Sequence, residues 1–214
     1  GHLRDITLRA LDVLASVSAI FAEDTRVSAT LLAHYGIATR PRSLHAHNEA
    51  ARAADVIALL AQQHSVALIT DAGTPAISDP GARVVRAVRD AGHAVVPIPG
   101  PSALAAALSA AGIGATRFFF AGFLPTAAGE RDALLASLAG MPAALVFYEA
   151  PHRIARTVDA LAAALAPERV LVIARELTKT FETIAAMPLA AAAGWLAEDA
   201  NRRRGEFVLV VDAP

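Results

Sequence analysis

The sequence predicts an α/β fold of two domains, the first with a mainly parallel sheet. Stretches with the apolar periodicity of helices, such as residues 55–60, alternate with short β-rich runs such as residues 66–69. Runs that are apolar throughout, as at residues 95–96, are typical of parallel strands covered by helices on both faces. Helices between such strands form right-handed crossovers, so the alternation favours α/β architecture.

The first domain is predicted from helix start and stop signals and from apolar runs. Gly36 and Gly92 are suitable helix ends, and Asn48 is a suitable N-cap. In chain order we predict a helix over 7–14, a strand over 19–22, a helix over 27–35, a helix from Asn48 to about 63, a strand over 66–70, a helix over 82–91, a strand over 94–98 and a helix over 102–111.

A second series of elements begins at Phe118, after a glycine-containing stretch that interrupts the pattern. We therefore place the domain boundary near Gly114, which gives domains 1–114 and 115–214. The second series is predicted to contain a strand opening at 118–120, a helix over 131–138, strands over 144–148 and 170–174 with a helix over 154–165 between them, a helix over 189–198 and a strand over 207–211.

Composition excludes several classes of function. The chain has no cysteine, which removes disulfides, thiolate metal sites and cysteine nucleophiles. No stretch approaches the roughly 20 apolar residues of a membrane-spanning helix, and no signal peptide is evident, so we expect a cytoplasmic protein without a membrane partner. The net charge of −1 means that any nucleic acid must be bound locally. The one dense basic cluster is Arg202-Arg203-Arg204. A solvated loop explains it at least as well as a phosphate-binding site does.

Two long loops directly follow predicted strands of the first domain. Residues 70–81 contain turn formers and backbone-exposing glycines, and residues 99–103 place Gly100 and Ser102 before a helix. Either loop alone would be an ordinary turn or helix cap. Ligands of open α/β sheets bind beyond the carboxyl ends of the strands, so two such loops in succession favour a binding site.

Common nucleotide and zinc signatures are absent. The sequence has no Gly-x-Gly-x-x-Gly, no Gly-Lys-Ser/Thr and no His-Glu-x-x-His motif. His45 and His47 could contribute to a metal site, but no third ligand is obvious nearby, so we predict none.

Three charged clusters also follow predicted strands. They lie at residues 22–26, 148–153 and 175–179. A charge run is usually solvated surface, but charged groups at the end of a buried strand can be paired or perturbed. We therefore expect at least one cluster to have a functional role.

Taken in order, these segments resemble the ribosomal RNA small-subunit methyltransferase I family, which methylates a cytidine ribose 2′-oxygen of 16S rRNA. The family lies within the tetrapyrrole-methylase superfamily. The similarity spans nearly the whole chain and includes residues 5–11, Ala22-Glu23-Asp24-Thr25-Arg26, residues 44–49, Asp71-Ala72-Gly73-Thr74-Pro75, residues 78–81, Pro99-Gly100-Pro101-Ser102-Ala103, residues 122–125 and 147–153, Ala174-Arg175-Glu176-Leu177-Thr178-Lys179 and residues 205–210.

The resemblance implies two α/β domains with an S-adenosylmethionine cleft between them, and usually a homodimer. Its partner would be 16S rRNA or the small ribosomal subunit. By superfamily analogy, the residues expected to line the cofactor pocket are Gly73, Thr74, Ile77, Ser102, Ala103, Tyr148 and Leu177. The family ordinarily has a further strand before this region and a helical extension after it, so we expect the chain to be incomplete at both ends.

The chemistry implied by the resemblance is an in-line methyl transfer, in which positioning of the nucleophile carries much of the rate. A carboxylate or a lysine of lowered pKa would accept the hydroxyl proton. Our candidates are Glu149, Lys179, Glu176 and Asp24, with preference for Glu149 or Lys179. Arg26, Arg153 and Arg175 are candidates for phosphate binding. No metal is required.

Two alternatives remain open from the sequence. The first is a methylase acting on a tetrapyrrole carbon, as elsewhere in the superfamily. The second is a non-catalytic RNA-binding or assembly module, against which the near-neutral charge counts mildly.

Overall fold

The computed structural model describes residues 1–214 and contains two compact units. One comprises His2–Ser102, and the other comprises Ala103–Pro214 together with Gly1. The division thus follows Ser102, whereas the sequence analysis placed it near Gly114. The difference is the helix Ala103–Ala111, which places Ala107 and Ala111 in a hydrophobic cluster on the second sheet.

The first unit is built on a fully parallel three-stranded sheet. Its strands are β1 (Ala19–Ala22), β2 (Pro41–Ser43) and β3 (Val66–Ile69), in the order β2-β1-β3. All residues of β1 are buried, as expected of a central strand covered on both faces. The parallel sheet predicted for this half is confirmed.

Four helices cover this sheet: α1 (Leu8–Ser16), α2 (Thr25–His34), α3 (Glu49–Ala61) and α4 (Ala82–Asp90). One hydrophobic cluster joins β1 to α3 and α4, and another joins β1 to α1 and α2. The two faces of β1 therefore supply two separate cores.

The predicted strand over 94–98 is wrong, because that stretch has no ladder partner. Side chains of α1 bind part of its backbone instead: Arg9 Nη2 donates to the Pro97 carbonyl at 3.1 Å, and Thr7 Oγ1 donates to the Pro99 carbonyl at 3.2 Å. Apolar residues such as Val96, 71% exposed, form a strand only where a neighbouring strand supplies hydrogen bonds. The short strand β2 was not predicted, since Pro41-Arg42-Ser43 has no strand-like pattern.

The second unit contains a mixed five-stranded sheet. Its strands are β4 (Phe118–Phe123), β5 (Ala144–Glu149), β6 (Val170–Arg175), β7 (Thr183–Pro188) and β8 (Phe207–Val211), in the order β4-β5-β8-β6-β7. Only one pair of neighbouring strands, β4 and β5, is parallel; β8 lies between β5 and β6 and runs antiparallel to both, and β7 runs antiparallel to β6. The edge strand β7 was not predicted.

Helices cover both faces of the second sheet. They are α5 (Ala103–Ala111), α6 (Ala128–Leu138), α7 (Ile154–Ala164) and α8 (Leu189–Glu198). One hydrophobic cluster contains Phe147, Ile173 and Phe207 with α6, α7 and α8, and the opposite cluster contains Val146 and Val208 with α5. Alternate residues of each strand therefore enter different cores. None of the helices is both long and apolar enough to cross a membrane.

Candidate cofactor and substrate site

Acidic side chains meet at the carboxyl ends of β1 and β3, which are adjacent parallel strands. Thr70 Oγ1 donates to Glu23 Oε2 at 2.7 Å, and the Asp24 amide donates to Asp71 Oδ1 at 3.0 Å. Partial burial and the nearby Glu23 and Asp24 carboxylates raise the pKa of Asp71, despite the hydrogen bond from the Asp24 amide. Asp71 was considered only as part of a loop in the sequence analysis.

Asp24 is the N-cap of α2, which explains its local environment. Its Oδ1 accepts from the Arg26 amide at 2.8 Å, and its Oδ2 lies 2.6 Å from Arg26 Nη2. These hydrogen bonds lower the pKa of Asp24 to about 2. Asp24 is therefore a weak proton acceptor, while the Arg26 side chain is 89% exposed.

The loop between β3 and α4 touches the segment that precedes α5. Thr74 Oγ1 donates to the Pro101 carbonyl at 3.3 Å, and a Cβ added at Gly73 would lie 3.5 Å from the same oxygen. Gly73 has φ +86°, and the non-glycine residues Ala76 and Ser78 also have positive φ. The two loops that the sequence analysis associated with a ligand are thus in contact within the first unit.

A buried glutamate that the sequence analysis did not assign holds the end of this loop. Glu49 Oε1 accepts from the Gly81 amide at 2.9 Å and from the Arg83 amide at 2.8 Å. Glu49 thereby satisfies free N–H groups at the start of α4. In the sequence, Glu49 stood out only as part of residues 44–49, one of the segments that resemble the family. Ile77, predicted to line the pocket, lies in this loop and is 39% exposed.

Three of the predicted cofactor-binding residues lie together in the second unit. The Leu104 amide donates to the Tyr148 hydroxyl at 3.1 Å, which joins β5 to the first turn of α5, where Ala103 is the first residue. Tyr148 and Leu177 pack against the same hydrophobic cluster. Ser102 directly precedes α5.

Glu149 lies on the opposite face of this sheet from Tyr148, because successive residues of a strand point to opposite faces. It is fully buried, and its carboxylate accepts from Thr157 Oγ1 at 2.5 Å and from the Ala150 amide at 2.8 Å. Arg153 Nε lies 3.2 Å from the same carboxylate, and Arg153 Nη2 donates to the Leu124 carbonyl. This environment is that of a carboxylate that holds structure together.

The loop after β6 has a strained backbone around Leu177. Glu176 has φ +52° and Thr178 has φ +62°. Such left-handed conformations cost on the order of 1–3 kcal/mol for a non-glycine residue, and they persist only where surrounding contacts hold them. The loop therefore has a shape that its own residues disfavour.

Lys179 is held between two carboxylates of the second unit. Its Nζ lies 2.9 Å from Glu176 Oε1 and 2.9 Å from Glu206 Oε2. Burial alone would lower the pKa of Lys179, but the hydrogen bonds to the two carboxylates outweigh it and the pKa is raised. Burial would raise the pKa of Glu176, but hydrogen bonds from Lys179 and the Glu206 amide outweigh it and the pKa is lowered. Both groups are thus stabilised in their charged forms.

The three arginines predicted to bind phosphate differ in exposure. Arg26 is exposed, whereas the Arg153 side chain is 14% exposed and paired with Glu149. Arg175 is buried and donates to carbonyl oxygens of its own unit. Exposed arginines that the sequence analysis did not single out lie on α4, where Arg83 and Arg86 form no ion pair.

The histidine pair is not part of a larger ligand set. The rings of His45 and His47 have centroids 5.9 Å apart. No group of three or more histidine, cysteine, aspartate or glutamate side chains is arranged to hold a metal ion.

Comparison with known proteins identifies the family. Residues 1–193 match the family described as tetrapyrrole (corrin/porphyrin) methylases. A protein of Vibrio cholerae named ribosomal RNA small subunit methyltransferase I is 51% identical over 211 residues, covering 99% of this chain and 73% of that protein. A protein of the same name from Escherichia coli O157:H7 is 49% identical, covering 99% of this chain and 74% of the relative.

Solved structures show the same fold at low identity. The methyltransferase CobJ superposes with a TM-score of 0.73 at 21% identity, covering 100% of this chain and 90% of that one. Uroporphyrin-III-C-methyltransferase from Thermus thermophilus superposes with a TM-score of 0.69 at 23% identity, covering 99% and 90% of the two chains. Because the family match covers residues 1–193 and the two named relatives are about half identical to it, the chain belongs to the tetrapyrrole methylases and, within them, to the ribosomal RNA small subunit methyltransferase I family.

Proposed function

We propose that this protein uses S-adenosylmethionine to methylate the ribose 2′-oxygen of a cytidine in 16S rRNA. One observation carries the proposal: relatives about half identical over 99% of this chain are named ribosomal RNA small subunit methyltransferase I. Their identity to this chain is more than twice the 21% and 23% of the two solved methyltransferases that share its fold.

The residues present suit such a cofactor. Bound S-adenosylmethionine would supply a methyl group activated by its positively charged sulfur. It carries no phosphate, which agrees with the absence of a phosphate-binding glycine motif in the sequence. Gly73 would hold it through its exposed main chain and Thr74 through its half-buried main chain, while the half-buried Tyr148 and Leu177 would provide apolar contact.

The protein's main contribution to the reaction would be positioning of the ribose hydroxyl. None of three candidate residues is a strong base at neutral pH. The pKa values of Asp24 and Glu176 are lowered, so their carboxylates accept a proton weakly, and the pKa of Lys179 is raised, so its amine stays protonated. Of the two preferred residues, we favour Lys179 for contact with the substrate, because it lies two residues from Leu177. Glu149, enclosed on the other face of the sheet, is better explained as a structural residue.

Exposed arginines of the first unit are our candidates for binding RNA phosphates. Arg26 follows the acidic cluster at the end of β1, and Arg83 and Arg86 are one helical turn apart on α4, directly after the loop of Gly73. Val84 and Val88 of the same helix are buried, so the arginines project from its solvent face. Phosphate contacts of this kind would orient the RNA without reading its sequence.

We also infer that the protein forms a homodimer and acts in the cytoplasm, where it would meet ribosomal RNA. Phe118 and Phe119 of the edge strand β4 are 53% and 39% exposed, an apolar surface that association would cover. Sedimentation velocity at micromolar concentration should give the mass of two chains. A single species at 22.1 kDa would contradict the inference.

The proposed function is tested by methyl transfer in vitro. The protein is incubated with radiolabelled S-adenosylmethionine and with small ribosomal subunits from a strain that lacks the corresponding methyltransferase. We expect label in 16S rRNA, recovered after alkaline hydrolysis in a dinucleotide, since a 2′-O-methyl group blocks cleavage at that ribose. Subunits from the parent strain, already methylated, serve as the control and should accept little label.

The same assay separates the alternatives. Label recovered in mononucleotides would place the methyl group on a base and contradict ribose methylation. Transfer to a precorrin-type tetrapyrrole, with none to the subunits, would favour the tetrapyrrole methylase. Binding of RNA without binding of S-adenosylmethionine in calorimetry would favour a non-catalytic module.

A further inference from the structure

Arg175 lies at the end of β6, and its side chain points into the protein. Its Nη1 donates to the Arg204 carbonyl at 3.1 Å, and its Nη2 donates to the Phe181 carbonyl at 3.0 Å and to Thr183 Oγ1 at 3.2 Å. Its Nε is buried without a hydrogen-bond partner. One guanidinium therefore joins the end of β6 to the loop of residues 176–182 and to the loop that precedes β8.

These two loops depend on each other. The Glu176 amide donates to the Glu206 carbonyl at 2.9 Å, and the Glu206 amide donates to Glu176 Oε1 at 2.9 Å. Gly205 has φ +92°, and a Cβ added there would collide with the Glu176 side chain. The segment 204–206 thus packs tightly against Glu176, one of the two strained residues that flank Leu177.

We propose that Arg175 is a positioning residue for cofactor binding: its bonds to the Phe181 and Arg204 carbonyls hold Glu176 and Thr178 in their left-handed conformations and so present Leu177 on the Tyr148 face. The inference rests on the proposed function, because Leu177 matters in this way only if that face receives S-adenosylmethionine. Arg175 itself pairs with Phe207, on the opposite face of the sheet, so it acts through the loop and not by contact.

The chain contains a matched control at the other end of the same strand. Arg169 directly precedes β6, is also buried, and also donates to main-chain oxygens, those of Asp212 and Ala139. Removing either guanidinium leaves buried carbonyls without donors. Only Arg175 holds the loop that carries Leu177, so the two arginines separate a general loss of stability from a loss of positioning.

The experiment compares Arg175→Met, Arg175→Lys and Arg169→Met with the wild-type protein. Thermal unfolding measures stability, and calorimetric titration with S-adenosylhomocysteine, well below the lowest Tm, measures cofactor affinity. We expect both methionine variants to lower Tm, but only Arg175→Met to raise the Kd, by about tenfold or more. The Kd of Arg175→Lys should lie between those of the wild type and Arg175→Met, because a lysine cannot reproduce the planar, forked geometry of the guanidinium. In steady-state assays the KM for S-adenosylmethionine should rise in parallel.

A second variant tests the loop without touching Arg175. Gly205→Ala places a methyl group against the Glu176 side chain and should weaken cofactor binding in the same direction. The proposal is overturned if Gly205→Ala and either of the Arg175 variants bind S-adenosylhomocysteine with the wild-type Kd. It is also overturned if Arg169→Met weakens binding as much as Arg175→Met does. A wild-type protein that binds no S-adenosylhomocysteine would instead overturn the proposed function, and this inference with it.

Discussion

At the scale of single residues, the face of the sheet on which a charged side chain lies limits its role. Tyr148 and Glu149 are neighbours in sequence, yet one packs toward α5 and the other is enclosed beside α7. The difference follows from the two-residue repeat of a strand. A charged cluster at a strand end is therefore divided between two environments, and only one of them adjoins Leu177.

We predict that Glu149→Gln chiefly affects stability. It leaves the mostly buried Arg153 guanidinium without its anion, which should lower the free energy of unfolding by about 3 kcal/mol. Urea denaturation measures this change, and Thr157→Val, which removes one hydrogen bond to the same carboxylate, should cost only about 1 kcal/mol. Loss of methyl transfer with wild-type stability would show that Glu149 acts in the reaction.

The Glu176–Lys179 pair should give stability a defined pH dependence. The pKa of Glu176 is lowered from 4.5 in the folded state, so its contribution is present above about pH 4.5 and is lost as the pH falls through the folded pKa. The pKa of Lys179 is raised from 10.5, so its contribution is present below that pH and is lost as the pH rises through the folded pKa.

Glu176→Gln should accordingly lower the free energy of unfolding by about 1 kcal/mol between roughly pH 5 and pH 10, and by less outside that range. Urea unfolding of both proteins at several pH values measures the difference. Glu168→Gln, an exposed glutamate without an ion pair, is the control and should show no such window. A constant difference at all pH values would show that the pair is not responsible.

At the scale of elements, the ends of helices explain charged residues that the sequence left undecided. Arg202 Nη1 donates to the Trp195 carbonyl at 2.8 Å, and Arg203 Nε donates to the Leu196 carbonyl at 3.1 Å, so both arginines satisfy the end of α8. The Arg202 guanidinium also lies 4.6 Å from the centre of the Trp195 ring. The basic cluster at 202–204 is thus largely structural.

The start of α4 depends on Glu49 in the same way. Glu49→Ala removes the acceptor of two amide N–H groups and a negative charge at the helix N-terminus, and should cost about 2 kcal/mol in urea unfolding. Glu130→Ala in the first turn of α6 is the matched control, exposed and without such bonds, and should cost less than about 0.5 kcal/mol. Equal losses in both variants would contradict a capping role. Because Gly81 ends the loop of Gly73, cofactor affinity should also fall in Glu49→Ala.

At the scale of the whole molecule, a net charge of −1 means that RNA affinity must come from local cations. Arg83→Gln with Arg86→Gln should reduce the dependence of log K on log salt by about 1–2 in filter binding to 16S rRNA. Arg117→Gln with Arg156→Gln removes two exposed arginines of the second unit and is the control. An unchanged salt dependence in the α4 variant would contradict phosphate binding there. S-adenosylhomocysteine affinity should be unchanged in both double variants.

The α/β class, most helices and strands to within a few residues, the parallel first sheet and the family could all be predicted from the amino-acid order, because apolar periodicity, caps and ordered motifs are local signals. The same order also located the loops of Gly73 and Ser102, which the structure brings into contact through Thr74 and Pro101. The cofactor cleft expected between the two domains stays a prediction.

Which strand runs beside which, and hence the environment of each strand-end residue, could not be predicted in this way and is known from the folded chain. The insertion of β8 between β5 and β6, the failure of residues 94–98 to pair, and the inward course of Arg153 and Arg175 all depend on partners distant in sequence. The sequence shows which residues carry a charge. Whether that charge faces a ligand or a buried carbonyl is set by neighbours that only the folded chain assembles.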